Sequence, residues 1–305
     1  MPEEGVRPGD PDEPAQRLCD KQAAPWVRQA PHCLTDFTAR PAVLAFCEPV
    51  AGLRVFDLGG GESYGARTLR RRGAREGLGL DLSAGMIRAA EAQEQQAPLG
   101  IDDLQGDAVD LSRWARQTFD LVLSLFMFHY LELARLTTCL GEVARVLRPG
   151  GRLVFVVPHP LLPYLRPPAP PYYFAAGPQG YFSARDHCFP GQLWRCDGTP
   201  LAVQVRHKTV EDYFQALHTA GFRSLPVVRE LHVTPGDPGA RSRVLRPRMR
   251  GAAAPGACPD ALRVGQALEP WPPVVDQRRQ AVPMVIATAR LPLGASEAPC
   301  AQKCS

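Results

Sequence analysis

The chain has 305 residues, 45% of them hydrophobic and 22% charged, which is enough for one large buried core with appendages. Its formal net charge of +4 is too small and too dispersed to give an electrostatic footprint for nucleic acid, and its apolar runs are far too short to span a bilayer. Nine cysteines include no CxxC pair, so free thiols in a reducing compartment are expected, with no metal site. The start, MPEEGVRPGDPDEP, is acidic and proline-rich, unlike a signal or transit peptide, and a soluble cytoplasmic protein is expected.

In chain order, residues 1–30 read as a disordered leader. A helix is predicted over Thr38–Glu48, ended by Pro49 and Gly52. Arg54–Leu58 is a short strand that runs into Gly59-Gly60-Gly61, and Ser63–Arg72 a helix closed by Gly73. Gly77–Leu82 is a second strand, after which Ser83 caps a helix over Ala84–Gln96. A third strand lies near Ile101–Gln105 and a fourth at Phe119–Phe126. Leu131–Leu147 is an amphipathic helix stopped by Pro149-Gly150-Gly151, and Gly151–Val157 is a fifth strand. Thr209–Ala220 is a helix with Thr209 and Asp212 placed to cap it, and two more strands fit Pro226–Val233 and Ala281–Leu291. The alternation of strand and helix predicts an α/β fold: a Rossmann-like, mainly parallel seven-stranded sheet with helices on both faces. Two proline-rich stretches interrupt it. We expect 158–206, rich in aromatics, to be a lid on the acceptor side of a site, and 234–280, rich in arginine, to be a flexible insertion.

The segment Val55–Leu69 (VFDLGGGESYGARTL) carries the most chemistry. A glycine-rich turn between strand and helix lets a ligand lie against bare backbone, beside the unpaired N–H groups of the helix start. Gly59, Gly61 and Gly65 give GxGxxxG and so miss the dinucleotide fingerprint GxGxxG by one residue, which argues against a nicotinamide oxidoreductase.

These residues resemble the class I S-adenosylmethionine (AdoMet)-dependent methyltransferases, most closely the small-molecule "type 11" group. Asp57, Gly59 and Gly61 match the family loop D-x-G-x-G-x-G, and Ser63 stands where its third glycine belongs. GLGLDLSAGM resembles the family's second strand and following helix. QGDAVDL resembles the stretch after the third strand, FDLVLSLFMFHYL the fourth strand, and EVARVLRPGGRLVF the helix, turn and fifth strand. The resemblance implies a methyltransferase domain over 31–233, completed by a last strand at 281–292 and followed by a disordered tail at 293–305.

The resemblance further implies AdoMet as cofactor, held by Asp57, Gly59, Gly60, Gly61, Asp81, Leu82, Met86, Asp107, Ala108 and Leu125. Asp57 would accept from the cofactor's amino group, Asp81 would take the ribose hydroxyls, and Asp107 would accept from the adenine amino group, with Leu82 and Met86 beside the ring. Methyl transfer to a small-molecule acceptor is an in-line displacement that depends mainly on alignment and water exclusion. His129 after the fourth strand and His159 after the fifth are the candidate bases, with packing or orientation as the other reading of each. The absence of an N/D-PP-Y/F stretch after the fourth strand counts against adenine-N6 or glutamine methylation. An RNA or protein methyltransferase that uses arginines 241–250, and a non-catalytic binding module, are the alternatives.

Overall fold

A computed structural model describes residues 14–28, 31–165, 168–223, 226–233 and 282–292. The helices are α1 (Ala15–Lys21), α2 (Ala23–Trp26), α3 (Leu34–Phe37), α4 (Ala39–Phe46), α5 (Tyr64–Arg71), α6 (Ala84–Gln96), α7 (Leu133–Val146), α8 (Leu162–Leu165) and α9 (Val210–Thr219). The strands are β1 (Arg54–Leu58), β2 (Glu76–Asp81), β3 (Ile101–Gln105), β4 (Phe119–Leu125), β5 (Leu147–Pro158), β6 (Tyr172–Phe174), β7 (Cys188–Trp194), β8 (Pro200–Arg206), β9 (Val227–Val233) and β10 (Val282–Arg290).

Seven strands form the main sheet in the order β3-β2-β1-β4-β5-β10-β9. All pair in parallel except β10, which runs antiparallel to both β5 and β9. The order reverses between β1 and β4, which opens a crevice at the C-terminal ends of those strands. The central strands are buried on both faces because their side chains alternate between two apolar clusters. Val55, Leu121, Leu123, Val154 and Val156 pack on one side with Val43 and Leu44 of α4. Phe56, Leu58, Val122, Leu153, Phe155 and Val157 pack on the other with Leu136 and Leu140 of α7 and Leu217 of α9. Cutting one such side chain to alanine costs about 2–5 kcal/mol, which explains why these strands read as unbroken apolar runs.

The predicted caps hold. The Ser83 hydroxyl accepts from the Met86 amide, and Thr209 with Asp212 forms a reciprocal capping box on α9. The fifth strand starts earlier than predicted, at Leu147. Phe119 pairs with Leu147 while Leu121 pairs with Arg152, so the Pro149-Gly150-Gly151 turn is absorbed as a bulge.

One expectation needs correction. Residues 14–28 are not a disordered leader: α1 and α2 bury Leu18 and Ala23. Once its first 14 residues are set aside, that segment is rich in good helix formers. The 158–206 stretch, expected as a lid, folds into a second, antiparallel sheet in the order β6-β7-β8. Residues 234–280 and 293–305 lie outside the described residues.

Candidate active site

Strand β1 ends at Leu58, and the chain turns through Gly59 (φ +70°) and Gly61 (φ +58°), a backbone region that favours glycine. A Cβ on Gly59 would also overlap the Met127 side chain. The amides of Gly59 and Gly60 donate to the Leu80 carbonyl at 2.8 and 3.0 Å, which ties the loop to β2. The Gly61 amide donates to Asp81 Oδ2 at 2.9 Å, and the Ser83 amide to Asp81 Oδ1 at 2.9 Å. Burial pushes the Asp81 carboxyl up, against these two amides that pull it down.

One cavity of about 400 Å³ opens over this loop. Of the expected cofactor residues, Gly59, Gly60, Gly61, Asp81, Leu82, Met86, Asp107, Ala108 and Leu125 all line it. Asp57 does not. Its Oδ2 accepts from the Ala66 amide at 2.8 Å inside the start of α5, and its Oδ1 is buried without a partner among the described residues. Its carboxyl faces the loop's own backbone, because a side chain pointing inward from a buried strand end lies beneath the turn rather than above it. Burial raises it to about 7. The expected contact from Asp57 to the cofactor's amino group is therefore corrected to a loop-holding role.

Asp107 is engaged as well: Oδ1 accepts from the Val109 amide at 3.2 Å, and Oδ2 lies 2.6 Å from Arg135 Nη2. Ser63, at the third-glycine position, adopts φ 63°, ψ 25° despite its Cβ. Its hydroxyl bonds to Asp103 Oδ1 and it is absent from the cavity lining, so it does not crowd the site.

Strand β4 stops at Leu125 because Phe126 takes a left-handed φ of 59°, uncommon for a bulky residue and typical of functional sites. That turn brings Phe126, Met127, His129 and Tyr130 to the cavity. His129 is 2% exposed, and its Nδ1 has no hydrogen-bond partner among the described residues. Burial, with Lys208 nearby, pushes its imidazole down to about 3, so the ring is neutral at pH 7. His159 does not line this cavity. Its Nε2 lies 3.0 Å from Glu230 Oε1 and its Nδ1 accepts from the Leu161 amide at 3.1 Å, so both ring nitrogens are committed and its candidacy as a base is withdrawn.

Sequence reasoning placed 158–206 on the acceptor side but missed the leader's part in the opposite wall. That wall is built from Leu18, Cys19, Gln22, Trp26 and Arg28 of the leader segment and from Tyr172, Leu193 and Val203 of the β6–β8 sheet. These two pieces are joined, since Gln22 Nε2 donates to the Ala202 carbonyl at 3.0 Å and Gln22 Oε1 accepts from the Ala202 amide at 2.8 Å. The aromatics of 158–206 were a visible signal for the sheet, whereas only helix propensity marked the leader. His32, Cys33 and Asp36 bring three ligand-type atoms within 4.8 Å of one another. Asp36 Oδ1 is held by Arg28 at 3.0 Å and Arg40 at 2.9 Å, so this cluster already has its cations. Two guanidiniums there oppose a metal ion.

The lining fits AdoMet: bare backbone at Gly59–Gly61 for close approach, a carboxylate at Asp81 for hydroxyl donors, and apolar Leu82, Met86 and Ala108 for a purine ring.

Residues 56–155 match a family described as a methyltransferase domain. A fatty-acid O-methyltransferase of Mycolicibacterium smegmatis is 38% identical over 115 residues, 36% of this chain and 39% of its own length. A ubiquinone/menaquinone biosynthesis C-methyltransferase of Roseobacter denitrificans is 32% identical over 118 residues, 38% of this chain and 46% of its own. The chain thus spans about half or less of these relatives. In fold it is similar to the cyclase SpnF, with a TM-score of 0.54, 17% identity, and coverage of 95% of this chain and 98% of that one. The PH0226 protein of Pyrococcus horikoshii gives 0.51 at 17% identity, covering 83% and 88%. Among the described residues, no helix is long and apolar enough to cross a membrane.

Proposed function

We propose that this chain is an S-adenosylmethionine-dependent methyltransferase that carries out methyl transfer to a small acceptor held between the leader helices and the β6–β8 sheet. One observation carries the reading: the glycine loop, Asp81 and His129 all line a single cavity whose far wall is largely apolar and aromatic. AdoMet, when bound, supplies an activated methyl group on a sulfonium.

The chain's own residues do the rest. Asp81 offers its carboxylate to the ribose hydroxyls, while Leu82, Met86 and Ala108 offer apolar contact to the adenine. Asp57 and Ser63 hold the loop from beneath, through Ala66 and Asp103. Trp26, Tyr172, Leu193 and Val203 exclude water and favour an acceptor with an apolar body. His129, neutral and with a free Nδ1, orients the acceptor through a hydrogen bond. A group held near 3 is poorly matched to general-base work at neutral pH. The named relatives are a fatty-acid O-methyltransferase and a C-methyltransferase of ubiquinone/menaquinone biosynthesis, which supports this acceptor class.

The test is a screen of apolar metabolites with radiolabelled AdoMet, run beside an Asp81→Ala control and a calorimetric titration with S-adenosylhomocysteine. We expect label in a small organic acceptor and micromolar-class cofactor binding that the control loses. Absence of nucleoside binding by the unaltered chain would overturn the proposal.

A further inference from the structure

The cavity has a second polar end that the loop and Asp81 do not account for. Arg28, in the leader, has a side chain only 4% exposed. Its Nε lies 3.0 Å from Asp36 Oδ1, and its Nη1 lies 2.6 Å from Glu62 Oε1. Its Nη2 is buried and has no hydrogen-bond partner among the described residues. The guanidinium is fixed in place, 5.3 Å from the Trp26 ring centroid and 5.6 Å from that of Tyr64. Both Arg28 and Glu62 line the cavity.

A buried guanidinium N–H left without an acceptor is costly, so its presence beside a cavity points to a ligand that accepts. The charges narrow the class. Arg28 and Arg40 are balanced by Asp36 and Glu62, with Asp36 already shared by both arginines. A simple anion such as phosphate would meet Arg28 but also face the Glu62 carboxylate. A group with a carboxylate next to an ammonium satisfies both, since Arg28 Nη2 donates to the carboxylate and Glu62 accepts from the ammonium. Position narrows it further. Glu62 directly follows Gly61, whose amide is bonded to Asp81, so the ion pair and the ribose acid lie on either side of one residue.

We infer that Arg28 and Glu62 form the subsite for the amino-acid end of AdoMet, so that a leader residue outside the matched domain segment completes the cofactor site. This rests on the cofactor reading proposed above.

The experiment is a calorimetric titration of the full chain with three probes. These are S-adenosylhomocysteine, its decarboxylated analogue, and methylthioadenosine, which lacks the amino-acid end altogether. With the unaltered chain, removing the carboxylate should weaken binding about 10–100-fold. Arg28→Met should weaken S-adenosylhomocysteine by a similar factor, bind the decarboxylated analogue equally well, and leave methylthioadenosine unchanged. The inference is overturned if the unaltered chain binds the first two probes alike, a result that needs no variant to fold. It is also overturned if Arg28→Met weakens methylthioadenosine as much as S-adenosylhomocysteine, since the residue would then be structural only. If the unaltered chain binds none of the three, the cofactor reading itself fails and takes this inference with it.

Discussion

Asp20 and Ser83 are 63 residues apart in sequence, yet the Ser83 hydroxyl donates to Asp20 Oδ1 at 2.6 Å. The same carboxylate oxygen accepts from the Gly85 amide at 2.9 Å, at the N-terminus of α6. A leader residue thus caps the helix that follows Asp81. The Ser83 bond, then the Gly85 amide, hold its carboxyl below the usual range. Asp20→Ala should cost about 0.5–2 kcal/mol of stability. It should also raise hydrogen exchange through α1 and α2 and weaken S-adenosylhomocysteine several-fold. Unchanged exchange in α1 and α2 would show that this contact does not hold the leader.

Asp81 accepts from two backbone amides and still faces the cavity. Asp81→Ala should weaken S-adenosylhomocysteine by about two orders of magnitude, since two hydrogen bonds to a charged group contribute about 1.5–3 kcal/mol each and part of that is regained by water. Isothermal titration measures this directly. A loss under threefold would remove Asp81 from the cofactor contacts.

The buried Asp57 carboxyl sits at about 7, against 3.8 in its ordinary setting. Burial is the main cause, opposed by the Ala66 amide. The folded state therefore keeps a proton that the unfolded chain has already lost. This contribution is intact below about pH 4 and disappears as pH rises through about 7, amounting to about 4 kcal/mol. Asp81 and Asp103 are raised too and act with the same sign, so the difference between two proteins is the useful quantity. Asp57→Asn should gain stability relative to the unaltered chain as pH goes from 4.5 to 8, measured by thermal melting. Parallel profiles would rule out the buried proton.

Ser63 combines a left-handed backbone with a hydroxyl bonded to Asp103. Glycine relieves about 1 kcal/mol of backbone strain but leaves Asp103 without that donor. Alanine keeps the strain and loses the bond. Melting temperatures should rank the unaltered chain above Ser63→Gly, and Ser63→Gly above Ser63→Ala. Affinity for S-adenosylhomocysteine should stay within a factor of two in both, because Ser63 does not line the cavity. A large affinity change with little thermal effect would contradict this.

His129 and His159 should separate in kinetics. Burial keeps His129 neutral across the working range, so the rate–pH profile should show no inflection between about pH 5.5 and 8 that Asn substitution of His129 removes. His129→Asn should lower kcat/KM for the acceptor about 10–100-fold with cofactor affinity intact. His159→Gln should change it less than twofold. An inflection near pH 6.5 that vanishes in His129→Asn would instead make the ring a titrating base.

Much of the fold was legible in the residues because the signals are local. Apolar runs such as FDLVLSL, the Ser83 and Thr209 caps, and the glycines after β1 each act within a few positions of themselves. The same locality marked the loop, Asp81, Leu82, Met86 and Ala108, which line one cavity. Asp57 was misassigned because a sequence places a carboxylate at a strand end without saying which side of the turn it faces. Only the packing of α5 onto β1 settles that, by putting the Ala66 amide in reach.

The tertiary structure alone decided what closes the cavity. Arg28 meets Glu62, Asp20 meets Ser83, and Gln22 meets Ala202 across separations of 34, 63 and 180 residues. No period or spacing in a single chain encodes such pairings. Each depends on where the sheet, once folded, leaves polar groups that only a distant segment can satisfy.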